Sequence, residues 1–305
     1  MCVVSERMGD DIKVSVIITT YKRPFKTLSR AIESALAQTH RNFEIIVVDD
    51  SPDSPERDIL KKQVEEAYSE KLAYIQNLKN LGACASRNIG INRSTGQYIA
   101  LLDDDDQWLP EKNKLMLQCF SSEDIGLVYC NYHTYRNGKP ITIKGRKRYE
   151  GSVLPQLLES NFIGGCSIPL IPRHVFDTCG MFDERLPASQ DTDLYRRIAK
   201  KYQVKYLDEP LVIYHFSDVS ISSSQEKQIR GRLMLLEKYK DDYADYPAVK
   251  RVYFYDIFVG LIASKRSDEA WELFKKEYNP SFTAYLRILP SVGKALVKRL
   301  YWALR

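Results

Sequence analysis

Three short stretches of this chain hold side chains that could do chemistry. Residues 98–102, YIALL, are followed at once by four aspartates, Asp103, Asp104, Asp105 and Asp106. The apolar run 43–48 ends in Asp49 and Asp50, and the run from Val14 ends in Thr19, Thr20 and Tyr21. Carboxylates packed this densely repel one another, the more so where water is scarce. They are tolerated in water, or where a cation belongs among them. Carboxylates cannot hold phosphate directly. They can hold a divalent ion with hard oxygen ligands, Mg²⁺ or Mn²⁺, and such an ion can grip a diphosphate. The plainer alternative is a solvated acidic turn capping the next helix.

The surrounding pattern dictates where these stretches lie. Residues 14–19, rich in β-branched side chains, and 43–48, 72–76 and 98–102 are short strand-like runs. Between them, Phe25, Leu28, Ile32 and Leu36 recur at helical spacing, 55–70 is charged and helix-favouring, and 83–92 is compatible with a helix. Strand and helix in alternation predict parallel strands with crossover helices, and strands apolar along their length fit a sheet covered on both faces. In such a sheet ligands bind outside the carboxyl ends of the strands. The hydroxyls, the tyrosine ring and six carboxylates are therefore expected on one edge. Further on, the pattern predicts a helix over 108–120, a strand over 125–132, a helix over 193–201, a strand over 204–207 and helices from about 226 onward.

Composition removes several function classes. The chain has 305 residues, 44% hydrophobic and 28% charged, with a net charge of +5 that does not by itself call for nucleic acid. The N-terminal residues lack an apolar core and a cleavage pattern, so no export signal is expected. No apolar run approaches the ~20 residues of a membrane span. Six cysteines show no CxxC pair, which favours free thiols over zinc or a disulfide framework. There is neither GxGxxG after the first strand nor GxxxxGK[ST] anywhere, which disfavours a Rossmann dehydrogenase and a P-loop NTPase.

Four segments, VSVIITTYKRP (14–24), ALAQTHRNFEIIVVDDSPD (35–53), NLGACASRNIGINRSTGQYIALLDDDDQWLP (80–110) and GMFDERLPASQDTDLYRRI (180–198), together resemble the inverting family 2 glycosyltransferases of the GT-A fold. The resemblance implies an α/β fold, a mainly parallel sheet flanked by helices, with a C-terminal helical extension. It divides the chain into a nucleotide-sugar half at 12–106, an acceptor half at 107–225 and a helical region at 226–305. It implies that Thr19, Tyr21 and Asp50 hold the nucleotide base, with Tyr21 stacking and Asp50 accepting from a pyrimidine N–H, as uracil offers. Asp103 and Asp105 match the family's DxD pair. Asp105 would ligate Mn²⁺ or Mg²⁺, and Asp103 would lie near the ribose or the metal. Asp104 is counted with the nucleotide-sugar residues, although in an extended run Asp104 and Asp106 point away from the other two. Arg87 would touch the diphosphate or buttress the acids. His215 would ligate metal or diphosphate, although the register there departs from the family. Asp191 matches the catalytic base, the alternative being a cap on the 193–201 helix; Gln190 stands where relatives commonly have Glu.

The implied partners are a nucleotide-diphosphate sugar, most simply a UDP-sugar, and a hydroxyl of a glycan or lipid-linked saccharide; no nucleic acid is expected. After Pro290 the tail plots as an amphipathic helix. Over 291–305 it could lie on an anionic membrane surface, or else dock on the body or on a second copy. The expected location is the cytoplasm, at the inner face of the membrane. Two other readings compete: a nucleotidyltransferase, which would want a richer phosphate loop than Lys22 and Arg23 provide, and a non-catalytic nucleotide-sugar-binding module.

Overall fold

The structure, a computed structural model, describes residues 11–136, 139–141, 148–216 and 224–277. The amphipathic tail at 291–305 and most of the basic loop at 144–148 lie outside them. The described residues divide into two compact units: one drawn from 11–157, 161–185 and 190–216, the other from 158–160, 186–189 and 224–277.

The first unit opens with β1 (Val14–Thr20), α1 (Phe25–Leu36), β2 (Phe43–Asp49), α2 (Pro55–Tyr68), β3 (Ala73–Gln76), α3 (Ala83–Arg93) and β4 (Tyr98–Asp103). Helix α1 buries Leu28, Ala31, Ile32 and Ala35 on one face, the periodicity visible in the sequence. Helix α2 starts where Ser54 caps it, accepting from Arg57 N–H at 3.3 Å, with proline in the first turn. The strands lie in the order β3-β2-β1-β4, all parallel. Register then fixes the rim: Thr19 pairs with Val48 and Asp103, and Thr20 pairs with Asp49. The three strand ends expected to share one edge do so because these pairings are in step.

Beyond β4 come β5 (Gln107–Trp108), α4 (Lys112–Leu117), β6 (Ile125–Arg136), β7 (Lys139–Ile141), α5 (Leu154–Glu159), β8 (Leu170–Pro172), α6 (Arg173–Cys179), α7 (Gln190–Ala199) and β9 (Gln203–Phe216). They extend the sheet as β4-β8-β6-β9-β5, with β8 antiparallel to β4 and β6, and β6 parallel to β9. Two expectations are corrected here. The helix expected over 108–120 is only six residues long, because Trp108 pairs with Val212 in a two-residue strand and Leu109 N–H donates to Leu211 C=O at 2.9 Å. The helix expected to begin at residue 193 begins at Gln190, so Asp191 and Asp193 both lie in its first turn, Asp193 paired with Arg197 at 2.9 Å.

The second unit contains α8 (Gln225–Lys238), α9 (Lys240–Asp245), α10 (Pro247–Ala263) and α11 (Ser267–Glu277). Phe254, Phe258, Trp271 and Phe274 form an aromatic core between α10 and α11. Tyr243 donates to Leu158 C=O at 2.8 Å, which ties the 158–160 segment to these helices. Among the described residues, no helix is long and apolar enough to cross a membrane.

Candidate functional site

The acid run alternates in burial as an extended run should: Asp103 and Asp105 are half-buried, Asp104 and Asp106 buried. Every carboxylate of the run is partnered, two of them by the same arginine. Asp103 accepts from Arg87 of α3 at 2.7 Å. Asp104 accepts from the Thr20 hydroxyl at 2.7 Å and from Arg23 Nε at 2.8 Å. Asp105 accepts from the other end of the same guanidinium at 2.6 Å, while its main-chain carbonyl accepts from Arg30 at 2.6 Å. Asp106 accepts from Ser167 Oγ at 2.6 Å, and Ser167 Oγ in turn accepts from Asp103 N–H at 3.0 Å. Trp108 is buried beneath the run, its indole N–H on Ser167 C=O at 2.8 Å.

These environments raise the carboxyl pKa values of Asp104, Asp105 and Asp106. Burial pushes Asp104 up to about 6, against the pull of Arg23. Burial, and then the charge of Asp103, raises Asp105, and the same two causes hold Asp106 well above the ordinary range. Burial is thus the main cost of these charges, with Arg23, Arg30 and Arg87 placed against it.

On the β2 side, Asp49 is a structural group. It accepts from Ser51 N–H at 2.9 Å and from the Tyr74 hydroxyl at 2.8 Å. Asp50 is also buried. Its two oxygens accept from Asn77 Nδ2 at 2.7 Å and from the main-chain N–H groups of Leu81 and Gly82, both at 2.8 Å. The loop that these bonds hold ends at Gly82, which caps α3 with φ of +88° and so suits a residue without Cβ. Tyr21 and Thr19 are half-buried beside this edge, and Lys22 N–H reaches Ser51 Oγ at 2.8 Å, joining the ends of β1 and β2.

Asp191 faces the same charges from α7. Its Oδ1 accepts from Thr192 N–H at 2.7 Å and its Oδ2 from Asn161 Nδ2 at 3.2 Å. Burial raises its pKa, offset by the Thr192 bond and by the charge of Arg87, while Asp103 raises it further. Arg87 therefore joins the two acids electrically: it is bonded to Asp103 and within Coulombic reach of Asp191. Next to Asn161, the main chain of Gly165 is gripped on both sides. Its N–H donates to the Tyr214 hydroxyl at 2.8 Å and its carbonyl accepts from the Tyr195 hydroxyl at 3.1 Å. A Cβ at Gly165 would stand 2.6 Å from the Tyr214 oxygen, which is why glycine is needed there. His215 pairs through Nε2 with Gln107 at 2.8 Å. Burial and then Arg30 lower its pKa, which favours the neutral imidazole that can ligate a metal.

Among the described residues, no three His, Cys, Asp or Glu side chains already converge as a metal site. Mg²⁺ is commonly held by one or two carboxylates with water and substrate phosphate completing the shell. Asp103 and Asp105, the two half-exposed acids of the run, have the oxygen donors for that role, each paired to an arginine here. The residues that motif spacing did not single out are the supporting ones: Arg23, Arg30, Asn77, Asn161 and Ser167. Arginines next to an acid run carried a faint signal. The buried serine and the two asparagines carried none.

The family model for glycosyl transferase family 2 matches residues 15–183. A protein of Escherichia coli named as a candidate glycosyl transferase of colanic acid biosynthesis, WcaA, is 30% identical over 249 residues, covering 77% of this chain and 84% of its own. An uncharacterized glycosyltransferase of Rickettsia conorii is 30% identical over 214 residues, 68% of this chain, and this chain spans only 33% of that protein's length. Among solved structures, the 1–349 fragment of S. aureus TarS in complex with UDP-GlcNAc superposes with a TM-score of 0.61 at 16% identity, covering 88% of this chain and 92% of that one; this likeness is one of fold.

Proposed function

Because this chain belongs to glycosyl transferase family 2, we propose that it is a metal-assisted, inverting glycosyltransferase. It moves a sugar from a nucleotide-diphosphate sugar, most simply a UDP-sugar, to a hydroxyl of a glycan or lipid-linked saccharide in cell-surface polysaccharide synthesis. The observation that carries this reading is the coupling of two carboxylates from separate elements, Asp103 at the end of β4 and Asp191 on α7, through the single guanidinium of Arg87. A donor's diphosphate belongs at the first and an acceptor hydroxyl at the second. Support for the nucleotide comes from the UDP and UDP-GlcNAc complexes of the TarS fragment. Support for the polysaccharide context comes from the name of the Escherichia coli relative.

In this reading Tyr21 stacks on the base, and Thr19 and Asp50 complete its pocket. Asp50 still has acceptor capacity, since each carboxylate oxygen carries two lone pairs. Asp104 supports the nucleotide-sugar end of the site through Thr20 and Arg23. Asp105 and His215 would hold Mn²⁺ or Mg²⁺ with Asp103 beside them. The ion, when bound, offsets the negative charge that grows on the departing diphosphate. Asp191 takes the acceptor proton as the hydroxyl attacks from the face opposite the leaving group, which inverts the anomeric centre. A carboxylate with a raised pKa suits this step, being a stronger base than a solvated one. Turnover then rises with pH through the Asp191 ionisation. The test is Asp191→Asn, followed by UDP release and UDP binding. The reading expects transfer to fall by about 10³-fold or more with UDP affinity kept. Turnover near that of the unmodified protein would place the base elsewhere.

A further inference from the structure

The hydrogen bond from Asn161 to Asp191 belongs to a small device with every group accounted for. Asn161 Oδ1 accepts two main-chain N–H groups, those of Ile163 at 3.1 Å and Gly164 at 3.0 Å. Two donors on one atom identify it as the oxygen, so the side-chain amide has one possible orientation and Nδ2 must face the other way. There Nδ2 donates to Gly164 C=O at 3.0 Å and to Asp191 Oδ2 at 3.2 Å. The turn is rigid by construction. Gly164 has φ of +106°, a region favouring glycine, and a Cβ on it would stand 2.6 Å from the Ile168 side chain. The next residue is the Gly165 held between Tyr195 and Tyr214. Asp191 is thus fixed from both sides: Thr192 N–H holds Oδ1 from the helix start, and the Asn161 amide holds Oδ2 from the turn.

We propose that Asn161 is a positioning residue for the general base, orienting the Asp191 carboxylate and favouring its ionised form through the Nδ2 hydrogen bond. The inference rests on the assignment of Asp191 as base and adds to it the residue that aims it. A donor to the charged form lowers a carboxyl pKa, whereas burial alone raises it. The Asn161 donor thus acts on Asp191 in the same direction as the Thr192 N–H, against the effect of burial. The other charged and titratable groups facing Asp191 are Arg87 and Cys84 on α3, Asp103 on β4, Cys166 before β8, and Tyr195 on α7. Burial pushes Cys84 up to about 12 and raises Cys166 and Tyr195, so these three do not ionise on the acid limb of the rate profile.

The decisive variant is Asn161→Asp. It is nearly isosteric and keeps an oxygen for the Ile163 and Gly164 N–H groups, while the bond from Nδ2 to Gly164 C=O is lost with the donor. It replaces the donor to Asp191 with a second carboxylate. The expected result is a kcat lowered about tenfold or more at neutral pH, an acid limb of kcat displaced upward by about one pH unit or more, and recovery toward the unmodified rate at high pH. Donor KM and UDP affinity stay within about twofold. Asn161→Ser, which keeps an acceptor for the turn but adds no charge, lowers kcat with donor KM unchanged. A merely structural role would lower the melting temperature and leave the pH profile where it was. A profile for Asn161→Asp superimposable on that of the unmodified protein, with Asp191→Asn inactive, overturns the role of Asn161 alone. Turnover retained in Asp191→Asn overturns the base assignment and this inference together.

Discussion

Asp104 offers a test of the acidic rim that needs no substrate. Its carboxyl is 6% exposed and its pKa is pushed up to about 6 from 3.8, first by burial. The folded chain therefore holds this proton more tightly than the unfolded chain. A carboxyl raised in this way contributes stability that is fully present below its unfolded pKa and is lost as pH rises through about 6. Two pKa units amount to about 3 kcal/mol over the whole range, of which about 1.4 kcal/mol falls between about pH 5 and pH 7.5. Asp104→Asn removes the titration while leaving an oxygen able to accept from Arg23 Nε, so any constant offset from altered hydrogen bonds is separate from the pH-dependent part. Urea denaturation of both proteins, with chelator present, measures the difference at the two pH values. The stability of the unmodified protein relative to the variant should fall by about 1–2 kcal/mol on going to the higher pH. A difference that is flat, or that moves the other way, would show that Arg23 and Thr20 fully offset the burial of this charge.

Two further substitutions probe the packing that holds the rim. Ser167→Ala removes the hydroxyl that accepts from Asp103 N–H and donates to Asp106, leaving the Asp103 N–H unpaired and Asp106 with the His215 main-chain N–H; a loss of about 1–3 kcal/mol in chemical denaturation is expected. Gly90→Ala in α3 would place a Cβ 2.3 Å from Ile17 Cγ2, a side chain only 1% exposed in the core; the overpacking cost of about 1–3 kcal/mol should exceed the ~1 kcal/mol gained in helix propensity, so the variant should melt lower.

The parallel half of the sheet was legible because its signals are local. Its strands are short, largely apolar runs, with β1 and β2 rich in Val and Ile, and helices such as α1 show their buried stripe at Leu28, Ile32 and neighbours. Three strand ends carrying chemistry then had to meet once the order was parallel. The remainder was less legible because tertiary pairing decides it. No propensity marks Gln107 and Trp108 as a strand; they become one only by pairing with Val212 and Ile213. The start of α7 was missed by three residues because Gln190, Asp191 and Thr192 show no apolar periodicity. In β9, pairing passes from Leu207 to Pro210 between Cys130 and Asn131, so two residues leave the ladder where a proline interrupts the pattern. Motif order singled out the acids and Asp191, but not Asn161 or Ser167. Asparagine and serine are common types whose importance here lies in what they touch. The Arg23 ion pairs needed the fold to bring the turn after β1 against the end of β4.

The central claim is that the acidic rim binds a divalent cation together with the diphosphate of a nucleotide-sugar. Titration calorimetry of UDP, with and without Mn²⁺, on the unmodified protein and on Asp105→Ala tests it most directly. The account predicts that Mn²⁺ tightens UDP binding by about tenfold or more, 1.4 kcal/mol at the least, and that Asp105→Ala abolishes this gain while metal-free binding stays the same. Equal UDP affinity with and without Mn²⁺, or a gain that survives in Asp105→Ala, would contradict it.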